Sequence, residues 1–338
     1  MGKRYLGVDL QRNVFTVCIR YESGKSRIEE WQVSALGNFE KRLKSTDEIA
    51  VESTGNARFF CDAVKQKVSR VVIVNPAQFK VISRSVKKTD KNDAETLALF
   101  LSKGLLPEIR MKDKLHSQIS SLSQTRDKLV KLRTTLKNKI NNIASSYGIQ
   151  LRKEAMSSEK GLREVLTLEV DELSKVEIEV MVEQIRSLNR GNEKLEKEIR
   201  EEGKKMPGHK NLTSIKGIGE KGASILLSVI GDIKDFPDEG KLASYFGIVP
   251  RVNNSNETER SGRITKRGSK LGCTTLVQCT LIATRYSPYL QHYYALIKKM
   301  RGTGKAIIAT ARKFLGIIYL TLKNKWVFED FPNFVLVK

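Results

Sequence analysis

The chain has 338 residues, 40% of them hydrophobic, with a formal net charge of +23 and a pI near 9.8. That length exceeds one ordinary domain and calls for two or three. A chain this basic points to nucleic acid; a membrane-surface protein would need a basic amphipathic helix or a lipidation signal, and neither end carries one. The start, Met1-Gly2-Lys3-Arg4, runs into a strand-like stretch with no signal peptide. Position 6 is Leu6, where myristoylation needs Ser or Thr, and no apolar run is long enough to span a bilayer. A cytoplasmic protein is expected, with no membrane partner.

Residues 4–10 alternate, with Leu6, Val8 and Leu10 facing one way and Tyr5, Gly7 and Asp9 the other, which predicts a strand. Val14 to Arg20 and Arg27 to Ser34 read as two more strands, completing an antiparallel meander. A helix is expected from Asn38 to Lys44, then a strand over 48–52 that ends in Glu52. Ala57 to Val68 reads as a helix. Arg70 to Val74 is almost continuously apolar, as suits a central strand buried on both faces. After a basic run, Arg84-Ser85-Val86-Lys87-Lys88, comes Thr89-Asp90-Lys91-Asn92-Asp93-Ala94, the start of a helix that stops near Gly104.

Asp90 and Asp93 are three residues apart and share a helix face. They have a plain reading as a helix start, with Asp90 as the N-cap and Asp93 in the first turn, where carboxylates are favoured anyway. They have a sharper one if the first strand pairs beside the fourth. Asp9 and Glu52 then meet, and the helix lays two more carboxylates over the sheet. Four oxygen donors of this kind suit a hard cation such as Mg²⁺. Two ions about 3.5–4 Å apart serve phosphoryl transfer in such sites.

Residues 111–205 change character. Leu115, Ile119, Leu122, Leu129, Leu132, Leu136 and Ile140 keep helical spacing, as do Ile178, Met181, Ile185, Leu188, Leu195 and Ile199, with Asn192 in the one polar place of the seam. These read as two long helices in an antiparallel coiled-coil arm, a dimer contact or an ordinary helical layer. Pro207-Gly208 marks a boundary. In Leu212 to Ala223, the Gly217-Ile218-Gly219 turn between helices resembles a helix-hairpin-helix, with Lys216, Gly217, Gly219 and Lys221 placed to meet a phosphate. Gly247 to Gly268 begins polar and turn-rich, so a loop is expected around Ser255, followed by Arg263, Lys266 and Arg267. From the residues alone, Ser255 is a loop serine. Leu276 to Thr284 and Ala306 to Leu322 are expected helices. Cys18, Cys61, Cys273 and Cys279 lack metal or disulfide spacing and read as buried thiols of a reducing compartment. His116, His209 and His292 are scattered, and each is expected at the surface.

Gly7-Val8-Asp9, Glu52-Ser53-Thr54-Gly55, Val74-Asn75-Pro76 and the stretch from Lys88 to Ala94, in this order, resemble the N-terminal domain of DEDD insertion-sequence transposases. Gly247-Ile248-Val249-Pro250 and the stretch from Arg263 to Gly268 resemble their C-terminal domain. The resemblance implies an α/β plus α chain. It would have a ribonuclease-H-like (RuvC-like) catalytic domain over 1–108, a helical coiled-coil region over 109–206, and a mainly helical C-terminal domain with a helix-hairpin-helix and a serine loop over 207–338. It implies that Asp9, Glu52, Asp90 and Asp93 bind Mg²⁺ and that Ser255 attacks the scissile phosphate to leave a covalent serine–DNA link. It also implies donor and target DNA as substrates, a structured noncoding guide RNA as partner, and assembly as a homodimer or homotetramer. The sequence departs from the family pattern at Asn254 and Asn256, which makes Ser261, followed by Gly262, the rival nucleophile. Three other readings stand beside this one. They are a junction nuclease that uses metal-activated water, a site-specific DNA invertase, and a non-enzymatic nucleic-acid-binding protein.

Overall fold

The computed structural model describes residues 2–75, 79, 89–152, 154–255 and 258–337, with 252–255 and 258–261 described in backbone only. The chain divides into two compact units, Met1–Met111 and Lys112–Lys338.

In the first unit, β1 (Arg4–Leu10), β2 (Val14–Tyr21) and β3 (Ser26–Gln32) form the expected meander. After a 3-10 turn and a short α1 (Leu36–Glu40) come β4 (Glu48–Glu52), α2 (Ala57–Val64), β5 (Arg70–Val74), α3 (Asp90–Ser102) and a two-residue β6 (Glu108–Ile109). They build one six-stranded sheet in the order β3-β2-β1-β4-β5-β6. β1, β4 and β5 run parallel and the outer pairs antiparallel. Strand alternation assigns the two faces. Leu6, Val8, Phe15, Val17, Ile49 and Val51 pack with Phe39, Phe60 and Val64 on the side of α1 and α2. Ala50, Val72 and Val74 pack on the other side with Leu97 and Leu101 of α3, and Cys18 with Ala94 and Ala98. A central sheet covered on both faces explains why β5 reads as a continuous apolar run. Helix α2 ends four residues earlier than expected, where Lys67 N–H closes a turn onto the Val64 carbonyl.

In the second unit, α4 (Lys114–Ser146) and α6 (Glu172–Gly203) lie antiparallel, joined through α5 (Glu159–Leu166). Each long helix starts on an aspartate cap: Asp113 accepts from His116 N–H, and Asp171 from Leu173 and Ser174 N–H. Ile140, Ile143, Ile178, Met181 and Ile185 form their seam, and Asn192 is buried as expected. Leu132 departs from the expectation and is 56% exposed. The seam passes instead through Arg126 and Arg133, whose guanidinium groups reach across to Glu196 and Asn189.

After α6 come α7 (His209–Thr213), α8 (Glu220–Ile230) and α9 (Glu239–Tyr245). Then follow strands β7 (Pro250–Ser255) and β8 (Thr258–Ile264), and helices α10 (Lys270–Tyr286), α11 (Pro288–Arg301) and α12 (Thr303–Asn324). A small pair, β9 (Phe328–Asp330) and β10 (Val335–Leu336), follows. Ile119 and Ile199 of the long helices share one core with Leu226, Leu276, Phe314 and Ile318. The boundary read from Pro207-Gly208 thus falls inside this unit. The loop expected around Ser255 is a two-stranded antiparallel hairpin. Its two strands are mostly polar in sequence, so they carry little of the alternation by which strands are recognised.

Candidate active site and nucleic-acid interface

The acidic site is assembled by strand phase and one close approach. Gly7 and Asp9 share the α3 face of β1, because Leu6, Val8 and Leu10 take the other. β1 and β4 pair in parallel with Val8 opposite Val51, so Asp9 and Glu52 follow side by side, each one residue further along its strand. A Cβ at Gly7 would collide with the Ala94 carbonyl and the Ala98 amide and come within 2.9 Å of Leu97 Cβ. Only glycine lets α3 lie this close, and that approach carries the first turn of α3 to Asp9. The N-cap is Thr89, whose hydroxyl accepts from Asn92 N–H at 3.3 Å, and not Asp90 as the plain reading had it. Asp90 and Asp93 both lie in the first turn; Asp93 is buried and Asp90 exposed.

Asp9 is half-buried and its pKa is pushed up from 3.8 to about 6. Burial is the largest cause, followed by the charges of Asp90, Asp93 and Glu52 and by a side-chain hydrogen bond with Asp90. Carboxylates that repel one another in this way resist sharing full ionisation, and a divalent cation relieves the repulsion. The donors are hard oxygens, which suit a hard cation in kind. Among the described residues, no three Asp, Glu, His or Cys side chains are drawn into a ready-made cage. The basic run Arg84-Ser85-Val86-Lys87-Lys88, and Pro76, lie outside the described residues.

Ser255 is the last residue of β7, opposite Thr258, and Ser261 lies further down the stem, opposite Val252. The stem is held at its base by two glycines. A Cβ at Gly247, which has φ +71°, would lie 2.6 Å from the Gly268 amide nitrogen, and one at Gly268 would meet the Tyr245 and Phe246 backbone. Thr265 N–H donates to the Val249 carbonyl at 2.9 Å and Lys266 N–H to the Gly247 carbonyl at 3.0 Å. Lys266 sits at φ +52°, a conformation non-glycine residues seldom adopt. The strap turns Arg263, Lys266 and Arg267 outward, all three exposed.

In the Gly217-Ile218-Gly219 turn, Gly217 (φ +108°) is a packing residue, since a Cβ there would lie 2.6 Å from Ala283 N on α10. Gly219 caps α8 and faces open space. Lys216 is exposed, whereas Lys221 is engaged by Glu196 at 2.8 Å, which also bonds Arg126. This carboxylate hub links three helices and has no signature in sequence, because Glu196 reads as one charge among many on α6.

Two histidines depart from expectation. His116 is buried with Nδ1 2.7 Å from Asp113, and His209 is buried against the Glu220 carbonyl, while His292 is exposed. Both buried rings serve helix starts. Cys18, Cys61 and Cys279 are buried and Cys273 is half-buried, all as free thiols.

Two family models match the chain. One, described as a transposase of the DEDD, IS110 type, matches residues 6–149, and the other, the IS116/IS110/IS902 family transposase, matches residues 209–295. Together they span well over half of it. The chain is 25% identical to the transposase for insertion sequence element IS1111A of Coxiella burnetii, over 95% of this chain and 90% of that protein. It is 24% identical to a probable family 20 transposase of Pseudomonas aeruginosa, over 82% and 83% of the two chains. It is also 25% identical to the pilin gene-inverting protein of Moraxella lacunata, over 97% and 98%. The matches fall on both candidate regions, the acidic sheet end and the turn between α7 and α8, and the chain belongs to the IS116/IS110/IS902 family of transposases, enzymes that cut and recombine DNA.

Proposed function

We propose that the protein is the transposase of an insertion sequence that cuts DNA through Ser255, with Asp9, Glu52, Asp90 and Asp93 holding Mg²⁺ at the scissile phosphate. The single observation that carries this reading is the gathering of Asp90, Asp93 and Glu52 around Asp9, whose pKa is raised to about 6 by burial first and by these charges second. The family works with a divalent metal. Bound there, Mg²⁺ would supply charge stabilisation for phosphoryl transfer. The order β3-β2-β1-β4-β5 supports a ribonuclease-H-like reading of the first unit. The Ser255 oxygen forms a bond to phosphorus, the bond from phosphorus to one sugar oxygen breaks, and the serine proton ends on that leaving oxygen. The serine–DNA ester keeps the bond energy for rejoining after strand exchange.

The net charge of +23 supports long polyanion partners, read here as donor and target DNA with a structured noncoding guide RNA. Lys216, in the turn before α8, and Gly219, the N-cap of α8, are read as a helix-hairpin-helix phosphate contact, with Arg263, Lys266 and Arg267 as further backbone contacts. Action as a homodimer or homotetramer in the cytoplasm, at the nucleoid, completes the reading. Among the described residues, no helix is long and apolar enough to cross a membrane.

The test uses purified protein, Mg²⁺, flanking noncoding RNA, and donor plus target DNA on a denaturing protein gel. A covalent protein–DNA band in the wild type, absent in Ser255→Ala and Asp9→Asn, supports the proposal. A band that survives Ser255→Ala moves the nucleophile to Ser261. Cutting with no covalent band supports the nuclease that activates water. The pilin gene-inverting relatives favour a second reading, inversion of a DNA segment by the same chemistry. Inverted recombination sites around the gene, without a hairpin-forming noncoding stretch, would select it.

A further inference from the structure

From Arg260 to Phe328 the sequence has fourteen Lys and Arg and no Asp or Glu. A chain with 38 acidic residues elsewhere has none over three whole helices. Within that stretch α11 is used little by the fold, since Leu290 is its one buried residue. Tyr289, Tyr293, Leu296 and Met300 follow at steps of four, three and four, which makes one stripe along the helix. Tyr289 is 46%, Leu296 48% and Met300 61% exposed, and Tyr286, just before α11, is 53% exposed. Lys313 of α12 stands 5.2 Å from the Tyr289 ring centre and 5.4 Å from that of Tyr293, and Lys298 stands 5.9 Å from Tyr294. Lys298, Lys299 and Arg301 crowd the last turn of the helix.

Part-exposed rings interleaved with cations suit a single strand of nucleic acid: bases stack on the rings and phosphates meet the cations, with Glu239 of α9 also acting on Lys313 and Phe334 edge-on to Tyr289. A duplex hides its base faces, so it gains only from the charge. A second copy of this chain seated two-fold on the same face would bring like charges together, which disfavours it. The family acts on DNA, and strands that are cut and exchanged leave their old duplex. We infer that the Tyr286–Tyr289–Tyr293 face of α10 and α11, with Lys298, Lys299 and Lys313, binds an unpaired DNA strand. The inference rests on the family's action on DNA and not on Ser255 or the acidic site.

The test is fluorescence anisotropy of the full-length protein with a labelled oligo-dT of about 20 nucleotides, in EDTA and moderate salt. The comparison probes are a duplex and an oligo-U RNA of the same length. Tyr289→Leu/Tyr293→Leu should weaken oligo-dT binding by about tenfold and duplex binding by less than twofold, while Tyr289→Phe/Tyr293→Phe stays within twofold of wild type. Lys298→Gln/Lys299→Gln should weaken both probes and flatten the salt dependence. Oligo-dT binding unchanged by the leucine pair overturns the inference. So does equal weakening of the duplex, oligo-U bound more tightly than oligo-dT, or a change of oligomeric state in the leucine pair on light scattering. A loss of helical circular dichroism in the leucine pair shifts the decision to the lysine pair, where unchanged oligo-dT binding also overturns it. Because no metal is present, failure here leaves the serine and metal reading intact, and the reverse also holds.

Discussion

Each unit of this transposase contains a part-buried carboxylate at the meeting of several elements, and the two are held in opposite ways. In the second unit Glu196 receives Lys221 and Arg126 at 2.8 Å. Burial works to raise its pKa, but the hydrogen bond from Lys221 and the charges around it outweigh burial and hold it below the ordinary value. In the first unit Asp9 has carboxylates for neighbours, and burial and repulsion both drive its pKa up. A structural carboxylate is made comfortable by its partners; a carboxylate left among its own kind is destabilising unless a cation arrives. The contrast separates a brace from a candidate catalytic centre better than burial or charge alone.

Gly7 is where a single substitution should do most to the acidic site. Gly7→Ala puts a methyl group into the backbone of α3 and should cost about 3 kcal/mol or more, with loss of DNA cleavage, read by chemical denaturation and a cleavage assay. Gly219→Ala, which meets open space, should cost about 1 kcal/mol at most. A tolerated Gly7→Ala would mean that the acids do not depend on the close approach of α3.

Glu196→Ala tests the brace. It leaves Arg126 and Lys221 facing each other and should destabilise by about 1 kcal/mol, a modest figure because the pair is partly solvated. Since the folded pKa of Glu196 is depressed, its contribution is present above 4.5 and fades as pH falls through the folded value. Asp9 has the reverse sign. Its contribution favours the fold below 3.8 and is lost as pH rises through about 6. Asp9→Asn should therefore stabilise the metal-free protein at pH 7.5, by about 1 kcal/mol after allowing for its partial exposure, while it abolishes cleavage. That gain should vanish near pH 4, which thermal melts across pH would show.

The smallest expected effect is chemical. Burial pushes the Cys18, Cys61 and Cys279 thiols up to about 11, so half-buried Cys273 should react first with a thiol reagent in the folded protein. Simultaneous reaction of all four would mean that the cores of both units open readily.

The first unit was largely legible in the sequence because its layers impose patterns. Alternation at Leu6, Val8 and Leu10 and the apolar run over 70–74 follow from a sheet buried on two faces, and that phase also put Asp9 and Glu52 on one side. The role of Gly7 was not legible, since nothing local distinguishes a glycine that admits a helix from one in a turn. In the second unit the helices were readable but their partners were not. Leu132 has the spacing of the seam, yet Arg133 takes the place beside it because its guanidinium finds Asn189. The β7–β8 hairpin escaped because its strands are mostly polar in sequence and show little apolar alternation. His116 and His209 were misplaced because each is buried by a helix start whose geometry is local.

The most direct test of the central claim, that the carboxylates around Asp9 await a cation, is thermal unfolding of the chelator-treated protein at pH 7.5, with and without millimolar Mg²⁺, in wild type and in Asp9→Asn. Asp9→Asn should melt higher than wild type without metal, and Mg²⁺ should raise the wild type but leave the variant nearly unmoved. Equal shifts in both proteins, or a wild type that ignores the ion, would contradict it.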